Sequence, residues 1–229
     1  MKETFKEYGI ILTDEKQKKL QLFCEFLTEY NTKINLTSIT DEKEVWIKHF
    51  LDSLLGSAYF ENGASVLEIG SGGGFPSIPL KIVRDDLKFT LCDSTGKKCE
   101  YLKEAVKYLK LDNVEVVCAR AEDLGKNPVY REKFDIVTAR AVARMNTLSE
   151  YCLPLVKVGG KFIALKGEAK EELEEAAGAI DILGGKVAVT DRKELPFGYG
   201  ERNVIVIEKV KNTPSCYPRG NGKERKKPL

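Results

Sequence analysis

The stretch Ser65–Leu80, SVLEIGSGGGFPSIPL, decides the fold. Its first five residues are a short apolar run of strand type. Gly70, Gly72 and Gly74 then alternate with Ser71 and Gly73, and an apolar segment of helical character follows. A strand that runs into alternate glycines and out into a helix is a βα unit. Its turn bends tightly and leaves backbone bare of Cβ atoms where a ligand can approach.

Downstream, four more apolar runs of strand length recur: Lys88–Cys92, Val114–Cys118, Phe134–Thr138 and Lys161–Leu165. Helical patterns separate them. Lys97–Lys110 places Tyr101, Leu102, Ala105, Val106 and Leu109 on one face. Asn146 is a candidate cap for a helix reaching about Val156, and Glu168–Leu183 is rich in Glu and Ala. Alternation of this kind gives right-handed crossovers and a parallel sheet covered on both faces. The end of the chain breaks the rule. Lys186–Thr190 and Asn203–Glu208 are joined by a loop with Pro196, Gly198 and Gly200 and no helix, so they are expected to pair antiparallel.

The first 60 residues carry no strand pattern. Thr13 caps a helix opened by Asp14 and Glu15, and Leu20, Phe23, Cys24, Leu27, Tyr30 and Ile34 form its apolar face. Asp41 caps a second, with Val45, Trp46, Phe50, Leu54 and Leu55 apolar. Too small for a core of its own, this segment is expected to pack on the sheet. The division expected is a helical cap at 1–60, an α/β domain at 61–210 and a basic tail at 211–229.

Composition narrows the function classes. Of 229 residues, 42% are hydrophobic and 31% charged, which suits a globular core. The formal net charge is +2, yet residues 211–229 carry six basic residues against Glu224 alone, leaving the rest of the chain at −3. The six cysteines form no Cys-x-x-Cys pair and a single histidine accompanies them, so no metal site is expected. Cys92 and Cys118 lie in apolar runs and read as buried reduced thiols of a cytoplasmic protein. The longest charge-free run, Ile69–Leu80, has 12 residues, too few for a membrane span. The N-terminus has no secretory leader pattern.

The candidate site residues follow from the βα units. A dinucleotide turn wants a third glycine at position 75, which is Phe75. Glu68-x-Gly70-x-Gly72-x-Gly74 is instead the form used for S-adenosylmethionine (SAM), with Phe75 and Pro76 shaping the ligand side of the next helix. Asp93 closes the second strand, where a carboxylate accepts hydrogen bonds from both hydroxyls of a ribose, or caps the next helix. Ala121-Glu122-Asp123 follows the third strand and either flanks an adenine or is a solvated acidic turn. Arg140 ends the fourth strand and either grips a carboxylate or substrate group or makes an ion pair. Glu68 and Glu122 are candidates for a negative field about a sulfonium. Cys152, on a helix, reads as a buried thiol. His49 and Asp52 share a helix face and read as partners of each other.

These motifs together resemble the RsmG (GidB) family of bacterial small-subunit ribosomal RNA guanine-N7 methyltransferases, over nearly the whole chain. The resemblance is carried by Tyr30-Asn31, Asn35-Leu36-Thr37, His49–Ser53, Gly70–Leu80, Leu91–Lys97, Phe134–Ala143, Ala164–Gly167 and Thr213-Pro214 with Tyr217-Pro218-Arg219. It implies a class I SAM methyltransferase, with a Rossmann-like seven-stranded sheet whose last two strands form a hairpin. It implies SAM as cofactor, bound at Gly70, Phe75, Asp93, Ala121, Glu122 and Arg140, to which the reading of the loop adds Glu68 and Gly72. It also implies ribosomal RNA or the small subunit as partner. Arg219, Lys223, Arg225, Lys226 and Lys227 are expected to contact RNA, in a tail that folds on contact and whose loss spares SAM binding. Ser215-Cys216 and Glu224 depart from the family's usual tail. The competing readings are a methyltransferase of another RNA, a protein or a small molecule, a non-catalytic RNA-binding protein, and a nicotinamide oxidoreductase.

Overall fold

The computed structural model describes residues 1–229. The chain begins with α1 (Lys2–Glu7) and α2 (Asp14–Asn31). Thr13 caps α2, its hydroxyl accepting from the Lys16 amide at 3.2 Å. Asp41 caps α3 (Glu42–Glu44), accepting from the Glu44 amide at 2.9 Å. From there the helix widens into a π segment, Val45–Leu51, and returns to α geometry in α4 (Asp52–Leu54). π turns inside helices often mark functional sites, and this one contains His49.

The sheet follows as β1 (Ser65–Ile69), α5 (Ser77–Val83), β2 (Lys88–Asp93), α6 (Gly96–Tyr108), β3 (Val114–Cys118), α7 (Ala121–Lys126), β4 (Phe134–Arg140), α8 (Met145–Cys152) and β5 (Val156–Lys166). The chain then forms α9 (Lys170–Glu175), α10 (Ala177–Ile182), β6 (Gly185–Glu194), β7 (Glu201–Lys209) and, near its end, α11 (Lys223–Lys226). Strand order is β3-β2-β1-β4-β5-β7-β6. β1 to β5 pair in parallel, and β7 runs antiparallel between β5 and β6. The expected hairpin is therefore present, longer at both ends than its apolar runs. The order reverses between β1 and β4, which makes the carboxyl ends of these strands the ligand side of an open α/β sheet.

Two apolar clusters cover the two faces. On one, Phe5, Leu20, Phe23, Trp46 and Phe50 of the N-terminal helices join Val66, Leu91, Ile136 and Val206 of the sheet in a single core. Full burial of side chains of this size stabilises by about 1.5–3 kcal/mol each. On the other, Leu148, Tyr151 and Cys152 of α8 pack with Val137, Phe162 and Ile205.

Three local expectations need correction. Glu168–Leu183 is two short helices, broken at Ala176. The helix expected to start at Asn146 has Arg144 as its cap residue and ends at Cys152, before Pro154. Cys118 is exposed, because β3 is the outermost strand on its side and Cys118 ends it. The other strand cysteine, Cys92, is buried.

The candidate ligand site at the ends of β1, β2 and β4

The glycine turn is built on left-handed backbone. Gly70, Gly72 and Gly74 have φ of 72°, 51° and 89°, a region that costs other residues about 1–2 kcal/mol. At Gly70 a Cβ would also stand 2.5 Å from Val142 Cγ2. The turn is pinned to the neighbouring strand: the amides of Gly70 and Ser71 both donate to the Cys92 carbonyl, at 2.8 and 2.9 Å.

Asp93 bonds to the start of the next helix, as the capping reading expected, and to the glycine turn as well. Its Oδ1 accepts from the Thr95 amide at 2.9 Å, at the start of α6, and its Oδ2 accepts from the Gly72 amide at 3.0 Å. The carboxylate thus holds the glycine turn and the helix start while each oxygen keeps a lone pair. Asp93, Gly70, Ala121 and Glu122 line one crevice of about 80 Å³, together with Arg120, Tyr151 and Arg225. That grouping suits a nucleoside: acceptors for ribose hydroxyls at Asp93, and a small side chain beside a polar one at Ala121-Glu122.

Glu68 lies beneath the turn, fully buried, with no hydrogen-bond partner for either carboxylate oxygen. Burial raises its pKa to about 8, against the opposing pull of Ser77, Ser71 and Arg140. Burial thus favours its neutral form.

Arg140, Phe75 and His49 stand outside that crevice. Arg140 Nη1 donates to Asp52 Oδ2 at 2.7 Å and to the Lys48 carbonyl at 3.1 Å, while Nη2 donates to His49 Nδ1 at 2.9 Å. The Phe75 ring stacks on His49 with centroids 4.3 Å apart, and the Arg140 guanidinium lies 5.0 Å from the Phe75 centroid. Phe75 therefore faces the N-terminal helices, against Phe23 and Phe50 as well, and not the nucleoside crevice. His49 and Asp52 are not partners of each other; both are ligands of Arg140. On the far side of Asp52, Arg202 Nε is 3.1 Å from Oδ1.

Burial and the Arg140 cation lower the His49 pKa to about 3. Since a guanidinium only donates, Nδ1 accepts, and Nε2 carries the proton that reaches Thr37 Oγ1 at 2.8 Å. Arg140, His49, Asp52, Lys48, Lys166 and Arg202 border a second, wider hollow of about 410 Å³. The turn at the end of β4 divides it from the crevice: Ala141, with φ 55°, lines the hollow and Val142 the crevice.

The C-terminal segment is already docked. Arg219 forks onto the buried Glu150 with Nη2–Oε2 of 2.6 Å and Nε–Oε1 of 2.9 Å, and its amide donates to Oε1 at 2.8 Å. Arg131 donates to the carbonyls of Thr213 and Tyr217 at 2.7 and 2.8 Å. Of the five tail residues expected at RNA, Arg219 is committed to Glu150 and Arg225 borders the crevice. Lys223, Lys226 and Lys227 are exposed. Folding only on contact with RNA is not what this segment does.

Among all residues no cluster of three or more His, Cys, Asp or Glu side chains is arranged to hold a metal ion. No helix is long and apolar enough to cross a membrane.

A seven-stranded sheet ending in an antiparallel hairpin, with a glycine turn after β1 and an acid at the end of β2, is the class I SAM-dependent methyltransferase fold. Solved structures share it. A SAM-dependent methyltransferase from Aquifex aeolicus superposes with a TM-score of 0.54 at 21% identity, over 79% of this chain and 97% of that one. M. jannaschii TYW2 in complex with AdoMet gives 0.54 at 18%, over 70% and 76%. At the sequence level, residues 16–202 match the family described as GidB, rRNA small subunit methyltransferase G. The ribosomal RNA small subunit methyltransferase G of Lactobacillus helveticus is 49% identical over 228 residues, covering 97% of this chain and 95% of that one. That of Staphylococcus aureus strain Newman is 49% identical over 230 residues, covering 99% and 96%. The chain belongs to the rRNA small subunit methyltransferase G family.

Proposed function

We propose that this protein transfers the methyl group of SAM to N7 of a guanine in small-subunit (16S) ribosomal RNA. One observation carries the cofactor half of the reading: the Asp93 carboxylate, bonded to the left-handed glycine turn, keeps acceptor capacity towards the crevice. SAM fits the residues there, with Asp93 on the ribose and Ala121-Glu122 about the adenine. It supplies a methyl group already activated on a sulfonium.

The base half rests on family membership and on what the site lacks. Guanine N7 has an in-plane lone pair and no proton to lose, so its methylation needs no general base. The one histidine beside the site is unfit to be one. Nδ1 is occupied by Arg140, Nε2 is protonated, and the pKa lies near 3. Rate enhancement then comes from holding N7, methyl and sulfur in line. The Asp52–Arg140–His49 assembly is a rigid wall for orienting a base in the wider hollow. The exposed Lys223, Lys226 and Lys227 suit phosphate contacts, each of which steepens the salt dependence of RNA affinity.

The test is transfer of labelled methyl from SAM to 16S RNA and to small subunits, then nuclease digestion and identification of the product. 7-Methylguanosine is the expected product. Label on protein, on a carbon or on an exocyclic amine overturns the N7 assignment.

A further inference from the structure

Helix α8 serves two structures at once. Thr147 Oγ1 donates to the Glu224 carbonyl at 2.9 Å, and Glu150 receives the Arg219 fork. Glu224 is itself buried and takes the Gly220 amide on its carboxylate. These contacts fix the chain on both sides of Arg225. The next residue of the same helix, Tyr151, is buried with its ring on the crevice. Arg225 Nε donates to its hydroxyl at 3.2 Å, with the guanidinium 5.9 Å from the ring centroid.

We propose that Arg225 is a cofactor-binding residue, the outer wall of the adenosine pocket, resting on the reading of this crevice as the SAM site. Tyr151 and Arg225 line it together with Asp93, Ala121 and Glu122. A nucleoside anchored at Asp93 meets the guanidinium there. Arginine suits that place because its plane stacks on an aromatic base while its edge still donates hydrogen bonds. At about 80 Å³ the crevice is well below the roughly 300–1,000 Å³ of small-molecule pockets. Two wall residues are long and solvent-exposed, Arg120 and Arg225. Room for a nucleoside comes from Arg225, the one held against the Tyr151 ring, swinging outward and settling on the base. The tail thus has two faces: Arg225 towards SAM, and Lys223, Lys226 and Lys227 towards solvent. This assignment predicts, against the expectation made of the tail, that removing residues 213–229 weakens SAM binding.

Calorimetric titration of the full chain with SAM tests it, with R225A, R225K, K211A and D93A beside the native protein. R225A weakens SAM binding about tenfold, equivalent to ~1.4 kcal/mol, with an unchanged unfolding midpoint in the absence of SAM. R225K, which keeps the charge but not the plane, also weakens it. K211A, an equal loss of charge in the same segment, leaves it unaltered. D93A weakens it further still. If D93A loses affinity while R225A or R225K binds as tightly as the native chain, the role of Arg225 is overturned and the site stands. If D93A binds SAM normally, the crevice is not the SAM site and both readings fall.

Discussion

The Arg140 guanidinium donates to His49 Nδ1 at 2.9 Å, and this one bond sets the tautomer of the only histidine in the chain. Burial and then the Arg140 cation hold that histidine neutral.

The sign of the resulting pH dependence is fixed. His49 binds a proton near pH 6.5 when unfolded but only near 3 when folded. Its contribution to stability is therefore complete above pH 6.5 and is lost as pH falls from there towards 3, by at most about 1.4 kcal/mol per pH unit. His49→Gln does not titrate. Urea unfolding at pH 7 and pH 5 is expected to show the native chain losing more stability than this variant does. Equal losses contradict a buried neutral imidazole.

Gly70→Ala meets two obstacles, the left-handed φ and the Val142 methyl. It is expected to cost about 2–4 kcal/mol in urea unfolding and to weaken SAM binding. Pairing it with Val142→Ala relieves the clash and leaves the φ strain. The double variant is expected to recover part of the stability beyond what Val142→Ala alone predicts, a non-additivity readable from the cycle.

The ion pair between Arg219 and Glu150 is asymmetric, because Glu150 is wholly buried while the Arg219 side chain keeps about a fifth of its exposure. Arg219→Ala strands a carboxylate in the interior. Glu150→Gln leaves an arginine that can turn to water. The first is expected to destabilise by roughly 3 kcal/mol and the second by less. Limited proteolysis is expected to cut the last 17 residues faster in both.

Asp52 holds Arg140 and faces Arg202 on its other oxygen. Asp52→Asn removes the charge that balances two guanidinium groups beside the wider hollow. Methyl transfer to RNA is expected to fall at least tenfold, with SAM affinity, measured by calorimetry, unchanged. A matching loss of SAM affinity contradicts the separation of the two hollows.

How far the sequence discloses this depends on distance along the chain. The five parallel strands, the closing hairpin and the glycine turn are written in local periodicity and in spacings of a few residues. Asp93 is legible because a strand end and a helix start coincide there. The joining of His49 to Arg140, 91 residues apart, has no local signal. Nor does the docking of Arg219 on Glu150, 69 residues back. A run of basic residues at a chain end reads as solvated tail, since nothing nearby discloses that a buried carboxylate waits on α8. The exposure of Cys118 is hidden for the same reason: an apolar run marks a strand, but only strand order makes it an edge. Phe75 is a candidate ligand contact because it follows the glycines, and nothing local discloses where its ring packs. Its ring is claimed by Phe23, Phe50 and His49, all of which come earlier in sequence.

That claim on Phe75 fixes how the two parts of the molecule move. One ring is shared between the residue next to the glycine turn and the packed interior of the N-terminal helices, so those helices cannot swing away like a hinged cover without tearing the turn apart. Access to the wider hollow is then a matter for the nucleic acid. The surface offered there is one that the N-terminal helices already complete.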